Sequence, residues 1–580
     1  MGGIIQQLRM KPLTSTAKSL GAKQSAITTK YKGSKLAAFY TPQNVAQILT
    51  DWALTDSQDT ALDPSYGGCA FLKAARTTLF NRGSLNPERQ IYGADIDPDA
   101  QVYLQDLLAN GAAKQQFIKE DFFNLDINNW GGQLFSAIVG NPPYLRYHSI
   151  PTALQERAAR RLQAAGMSIS GRASYWGYFL LYSTMFLRPG GKLAMVLPGA
   201  LLHTDYAAEV RSYLTSRFKQ VSIHLLQERI FDGTQEETVI VCAEGAGQSN
   251  QAVRVSYVTS VNELANALEN TATQKLIFTE QSGDGDWLRS MLNEEACRLY
   301  DDLVTSNDVI RLGDWVNTRI GVVTGNNNYF ILSEPERKSK AIPEKYFLPV
   351  IKRAAYAPGL VATKRDLREL KQHGKDCLLL YPPASLSRTP QALREYIAFG
   401  EESDVPAAWK CSVRDPWYVV PHTDAPAAFM PVMAASWPHL IVNRSGSTCT
   451  NNILKLSWKE RRPASDWTRL ALGTLSSLCQ LSAELVGRSY GGGVLKLEPR
   501  ELAQLAVPLL PPDVSKPLAC QVDALLRQNK MAQATEAVDA ALMNVNPQLT
   551  PKKLDQIRTA RKQLFLRRRQ HRQDAEKLAR

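Results

Sequence analysis

Between about residue 40 and residue 245, short apolar runs alternate with longer stretches whose apolar positions recur every three to four residues. The runs TALD (60–63), QIYGADI (90–96), QFIKED (116–121), FSAIVG (135–140), GKLAMVLP (191–198), QVSIHLLQ (220–227) and ETVIVCAE (237–244) predict strands. Residues 43–54, 70–80, 98–110, 175–187 and 206–217 have the helical period. Several strands are apolar at nearly every position, as expected when both faces of a sheet are covered. This rhythm predicts an α/β, doubly wound, mainly parallel sheet, whose ligands would sit at the carboxyl ends of the strands.

Beyond that block the pattern changes. Residues 245–260, GAGQSNQAVRVSYVTS, are small and polar and predict a connecting loop, and 261–310 read as mostly helical. From 311 to about 510 short strands, Pro, Gly, Trp and Tyr mix irregularly, which predicts a second domain of α+β or mostly β type. Residues 515–580 read as helical and increasingly basic. The expected division is a basic arm over 1–35, the α/β domain over 36–245, a helical connection over 246–310, a second domain over 311–512 and a basic helical segment over 513–580.

Charge adds a partner class. The net charge is +13, of which residues 1–50 contribute +7 and residues 551–580 contribute +8, leaving 51–550 at −2. Two basic ends on a nearly neutral body favour a polyanionic partner. The eight cysteines form no CxxC or CxxH pair, so neither a zinc site nor a disulfide framework is predicted. No window approaches an uninterrupted membrane-spanning length, and no secretory leader pattern opens the chain, so a cytoplasmic protein is expected.

The residues after each predicted strand carry the chemistry. After the first comes DPSYGGCAFL (63–72), where Asp63, Pro64 and Ser65 lead into Gly67 and Gly68, a turn that lets a ligand approach the backbone. A helix beginning at Ala70 would point its first amides at the same crevice. After the second, Asp95 is placed for ribose hydroxyls and Ile96 for the face of a purine, while Asp97 or Asp99 suits a helix cap. After the third, Asp121 suits an adenine amino group and Phe122 a stacking wall.

The fourth strand delivers Asn141, Pro142, Pro143 and Tyr144. The prolines lack N–H donors and fix φ, so they stiffen the backbone and leave its carbonyls free to accept. The Asn141 side chain and the Pro142 carbonyl form two acceptors suited to the two hydrogens of an exocyclic amine. Tyr144 can stack on the ring that bears it.

These motifs together resemble the gamma-class, Taq-type DNA adenine-N6 methyltransferases of restriction–modification and related defence systems. AFYTPQNVAQIL (38–49) resembles the motif that opens the class, which would place Tyr40, Thr41 and Pro42 near the methionine part of S-adenosylmethionine. DPSYGGCAFL, YGADIDPDA and EDFF match the cofactor motifs in order, and IVGNPPY matches the catalytic one. The stretch 174–202, SYWGYFLLYSTMFLRPGGKLAMVLPGALL, resembles the pair that follows. RIGVVTGNNNYFIL (319–332), VNRSGSTCTNNILKL (442–456) and GGGVLKLEP (491–499) resemble landmarks of the target-recognition domain. One departure is Cys69, where the class has the second glycine of Asp-Pro-x-x-Gly-x-Gly. The Gly67-Gly68 pair is expected to take up the turn instead.

The resemblance implies a Rossmann-like methyltransferase domain, a C-terminal α+β target-recognition domain and a basic helical tail. It implies methyl transfer from S-adenosylmethionine to the N6 amino group of an adenine flipped out of double-stranded DNA, with S-adenosylhomocysteine as product and no metal. Tyr175 and Phe179 are expected to help Tyr144 wall the base pocket. Arg157, Arg160, Arg161 and Arg172 in the insertion 149–172, and Arg567, Arg568 and Arg569 in the basic tail, are expected on DNA phosphates. A separately encoded restriction nuclease or defence complex is the implied companion, and a prokaryotic cytoplasm with nucleoid association the implied location. An RNA-adenine methyltransferase, a glutamine-amide methyltransferase and a DNA-binding subunit with weak or no activity of its own are the rival readings.

Overall fold

The computed structural model describes residues 40–145, 149–169, 173–202, 204–226, 230–231, 238–249, 252–270, 275–278, 287–490 and 493–578. The predicted basic arm over 1–35 and Arg172 lie outside them. The chain divides into two compact units. One is formed by the chain up to Leu197 with Glu209–Ile223 and Ile240–Asn250, the other by Pro198–Ala208, His224–Val239 and everything from Gln251.

The first unit opens with helix α1 (Gln43–Ala53), strand β1 (Ala61–Asp63), helix α2 (Ala70–Asn81) and strand β2 (Ile91–Ala94). The expected helix over 98–110 begins instead as a 3₁₀ stretch, Pro98–Leu104, and only its end, α3 (Gln105–Ala109), is α-helical. Asp97 caps that stretch, its side chain accepting from Asp99 N–H at 2.9 Å. Strands β3 (Phe117–Ile118) and β4 (Phe135–Gly140) follow, then helices α4 (Thr152–Ala164) and α5 (Tyr175–Ser183) and strand β5 (Leu187–Pro198). Helix α5 stops four residues short of the expected end. The Ser183 and Thr184 hydroxyls turn back onto the Phe179 and Leu181 carbonyls at 2.6 and 2.7 Å, and the chain tightens to 3₁₀ before β5. Helix α6 (Ala208–Arg217) leads to β6 (Phe218–Leu226) and β7 (Thr238–Ala246).

These strands lie in the order β3-β2-β1-β4-β5-β7-β6. The pairs β1–β2, β1–β4, β2–β3 and β4–β5 are parallel. Strand order reverses between β1 and β4, so the carboxyl ends of those two strands open a crevice. Both strands are buried at every position, which explains their continuous apolar runs.

The second unit corrects part of the sequence reading. The stretch 245–260 is not merely a loop: strand β8 (Ala252–Val258) pairs antiparallel with β9 (Lys275–Phe278). Its V-R-V-S-Y-V alternation has the strand period, which the surrounding small polar residues obscured. Farther on, a five-stranded and a four-stranded sheet of short strands mix with helices, an α+β arrangement.

Three helices close the chain, Pro512–Arg527, Met531–Val545 and Pro551–Leu578. The last does not present Arg568 to a DNA backbone. Leu554, Ile557, Arg561, Leu564 and Arg568 recur at spacings of three and four and form its packed seam. Arg568 is 1% exposed, and its Nε lies 2.8 Å from Glu484 Oε2. Its Nη2 donates to the Ser436 carbonyl at 2.7 Å, and Nη1 donates to the Gly493 carbonyl. Arg561 donates to Gln480 Oε1 at 2.6 Å and Ser477 Oγ at 3.0 Å, and Arg558 pairs with the buried Asp539 at 2.9 Å. Arg568, expected on DNA phosphates, is instead an anchor of the helix, together with Arg558 and Arg561. Arg567 is half-buried, and the Arg569 side chain lies outside the described residues. Among the described residues no helix is long and apolar enough to cross a membrane.

Candidate active site

The crevice at the strand ends is lined by Tyr40, Pro64, Ser65, Gly67, Asp95, Ile96, Asp121, Phe122, Asn141, Pro142, Pro143, Tyr144, Tyr175 and Phe179, all expected from sequence. Asp97, Glu120, Leu145 and Leu154 join them. Asp97 thus lines the crevice and caps the 3₁₀ stretch as well. Glu120 precedes the expected acceptor, and Leu154 belongs to the insertion whose arginines are expected on DNA phosphates.

Three expected contacts do not line the crevice. Asp63 is buried behind its wall and accepts from Ser65 N–H at 3.0 Å, so it shapes the turn. Burial pushes its carboxyl up to about 8. Thr41 is buried as well, and the Pro42 carbonyl accepts from Ala46 N–H at 3.1 Å at the start of α1.

The turn after β1 is built differently from expectation. Gly67 takes φ +43°, but Cys69 also stands in the left-handed region, at φ 61° and ψ 22°, so the glycine pair does not spare it. Gly68 serves close approach: a Cβ there would lie 2.8 Å from Cδ1 of Tyr40, whose ring lies over the turn. Asp95 fixes the turn from the neighbouring strand. Its two oxygens accept from Gly67 N–H at 2.7 Å and Asp97 N–H at 2.8 Å. Burial raises its carboxyl above the ordinary range, and those two bonds oppose the rise.

Asp121 lies three residues past β3, with Oδ1 accepting from Phe123 N–H at 3.1 Å. Phe122 is buried and stacks on Phe179, with ring centroids 5.6 Å apart and planes at 22°. Phe123, Tyr175, Tyr182 and Phe186 pack around this pair, so α5 and the end of β3 form one aromatic wall.

Helix α4 carries the arginines expected on DNA phosphates, and the structure places two of them otherwise. Arg157 Nη1 lies 2.7 Å from Asp121 Oδ2. Arg161 donates to the Phe123 carbonyl at 2.8 Å and the Asn124 carbonyl at 3.1 Å. The spacing of four puts both on the packed face with Leu154, Ala158 and Leu162, while Arg160 is exposed on the other side.

The turn after β4 is held from several sides. Ser65 Oγ donates to the Asn141 carbonyl at 3.3 Å. The Tyr144 hydroxyl donates to the Val196 carbonyl of β5 at 3.0 Å, and Tyr175 N–H donates to the Leu145 carbonyl at 3.0 Å. The ring of Tyr144 is therefore fixed at its tip, and the backbone is held on either side of it, at Asn141 and Leu145.

Residues 26–295 match the N-6 DNA Methylase family, and residues 284–543 match the C-terminal domain of Type II methyltransferase M.Eco57I. The chain is 24% identical to Type II methyltransferase M.AccI of Acinetobacter calcoaceticus, over 81% of this chain and 84% of that protein. It is 22% identical to Type II methyltransferase M.XamI of Xanthomonas campestris pv. amaranthicola, over 83% and 86%. Among solved structures, the Type IIL restriction-modification enzyme MmeI in complex with DNA shares the fold, with a TM-score of 0.53 and 12% identity over 96% of this chain and 78% of that one. The Asn-Pro-Pro-Tyr turn is thus set in a crevice of the segment that matches the N-6 DNA Methylase family, and over most of its length this chain is similar to Type II methyltransferases.

Proposed function

We propose that this protein transfers a methyl group from S-adenosylmethionine to the N6 amino group of an adenine in DNA, at the Asn141–Tyr144 turn. The convergence of that turn with Tyr40, Asp95 and Asp121 around one crevice carries this reading. The lining suits the cofactor chemically. Four carboxylates, Asp95, Asp97, Glu120 and Asp121, face the crevice, and among its described lining residues there is no Lys, Arg or His, which suits a ligand with a sulfonium and an ammonium group. Ile96, Leu154, Phe122 and Phe179 supply apolar surface for a purine.

Asp95 would hold the ribose hydroxyls and Asp121 the adenine amino group of the cofactor. When bound, S-adenosylmethionine supplies an electrophilic methyl group. The protein's part is orientation. The target amine is a poor nucleophile because its lone pair is delocalised into the ring. The Asn141 side-chain carbonyl and the Pro142 main-chain carbonyl accept from its two hydrogens, which favours a tetrahedral nitrogen with its lone pair free for in-line attack. Tyr144 stacks on the base, with Tyr175 and Phe179 walling the pocket. Because the amine of a stacked base cannot reach such a turn, the adenine is flipped out, at a few kcal/mol of unstacking.

We assign sequence reading to residues 311–512, a reading supported by the match of 284–543 to a Type II methyltransferase C-terminal domain. A separately encoded restriction nuclease is the companion that such a modification enzyme implies. The test is methyl transfer from labelled S-adenosylmethionine to duplex DNA, RNA and protein in parallel. Label in DNA recovered as N6-methyladenine supports the proposal, and label confined to RNA or protein overturns it.

A further inference from the structure

We propose that Arg157 is a positioning residue for cofactor recognition, acting through Asp121. The inference rests on the reading that Asp121 accepts from the cofactor's adenine amino group.

Three observations carry it. First, the Asp121 carboxylate is held at both oxygens, Oδ1 by Phe123 N–H at 3.1 Å and Oδ2 by Arg157 Nη1 at 2.7 Å. A carboxylate alone turns broadly about its last side-chain bond. Two donors, one on each oxygen, fix its plane, and its remaining lone pairs keep one direction. Second, Asp121 is 3% exposed and lines the crevice, whereas Arg157 does not line it. A carboxylate so removed from water requires a counter-charge, and a charge-assisted bond of this length supplies one. Third, Arg157 is delivered by α4, whose Leu154 reaches the crevice from the same face. Arg161 pins that face to the carbonyls of Phe123 and Asn124, immediately after Asp121. The insertion that follows the Asn-Pro-Pro-Tyr turn is thus joined to the acceptor that follows β3.

The two arginines of α4 separate in function. Arg161 holds the helix by donating to the backbone carbonyls of Phe123 and Asn124. Arg157 touches the acceptor itself, so its loss frees the carboxylate plane even with the helix in place.

The experiment is titration calorimetry on the full chain with two probes. One is S-adenosylhomocysteine, and the other is its analogue with hydrogen in place of the adenine 6-amino group. The unmodified protein should prefer S-adenosylhomocysteine by about tenfold, the size of a charge-assisted hydrogen bond made on binding. Asp121→Ala should abolish the preference, and a preference that survives that change overturns the underlying reading of Asp121. Arg157→Gln should cut the preference to about threefold or less, and Arg157→Lys should restore part of it. Arg161→Ala should weaken both probes equally and leave the preference intact. If Arg157→Gln weakens both probes equally, or if Arg161→Ala cuts the preference as much, Arg157 is only a helix anchor and the proposal falls while the Asp121 reading stands. Circular dichroism checks that each variant is folded, and Arg157→Lys alone still discriminates should Arg157→Gln fail to fold.

Discussion

The Tyr144 hydroxyl donates to the main-chain carbonyl of Val196 at 3.0 Å, which ties the Asn-Pro-Pro-Tyr turn to strand β5. The bond makes the hydroxyl a fixture of the turn as well as a decoration of the ring. Tyr144→Phe should lose about 1 kcal/mol of this anchoring, and with it about fivefold in methyl transfer. Tyr144→Ala loses the stacking face too, worth about 1–3 kcal/mol, and should fall further by about tenfold or more. Single-turnover methylation of a duplex substrate measures both. A Phe variant as impaired as the Ala variant would show that the bond, rather than the ring, sets the rate.

Cys69 stands in the left-handed region at φ 61° with its thiol buried. That conformation costs a non-glycine residue about 1–2 kcal/mol, while burying the small side chain returns about 1 kcal/mol. Cys69→Gly should therefore leave stability within about 1 kcal/mol of the parent. Cys69→Val, with a branched Cβ at positive φ, should cost about 2 kcal/mol or more. Chemical denaturation of the two variants distinguishes this from a role for the thiol itself, whose loss would impair both alike.

The Asp63 carboxyl is pushed up to about 8 by burial, from an ordinary value of 3.8. Between those two values the folded chain holds a proton that the unfolded chain has released. Stability from this group therefore falls as pH rises from about 4 to about 8 and levels off above. Asp95, also raised, adds a slope of the same sign. The thermal midpoint of the ligand-free protein should fall across that window, and Asp63→Asn should flatten the fall. An unchanged slope in that variant would remove Asp63 as its source.

Arg568 and Glu484 form an ion pair in which both side chains are almost wholly buried. Arg568→Ala strands the Glu484 charge and should cost about 3–5 kcal/mol in denaturant unfolding. A phosphate-contacting arginine would behave oppositely, leaving stability unchanged and lowering the salt dependence of DNA binding.

The strand-end residues were legible because their chemistry is local. Asp95, Asp121 and the Asn141–Tyr144 turn each follow a strand whose apolar run announces itself, and the parallel sheet brings the strand ends together. The arginines were not legible, because a charge run and a buried heptad seam look alike until the partner helix is known. Arg561 and Arg568 sit at seam spacing, and Glu484 and Gln480, which receive them, are distant in sequence. The role of Arg157 is hidden for the same reason: its partner Asp121 lies on another element. Cys69 shows a different limit, since a residue type disfavours a backbone conformation without forbidding it.

The most direct test of the central claim is single-molecule sequencing of DNA from cells free of other adenine methylases. The cells express either this chain or its Asn141→Ala variant, and S-adenosylhomocysteine binding to both purified proteins is measured in parallel. The account predicts N6-methyladenine at one defined sequence with the parent chain, none with Asn141→Ala, and near-equal binding. Methylated adenines persisting in the variant would contradict the role given to Asn141, and their absence with the parent chain would contradict the activity.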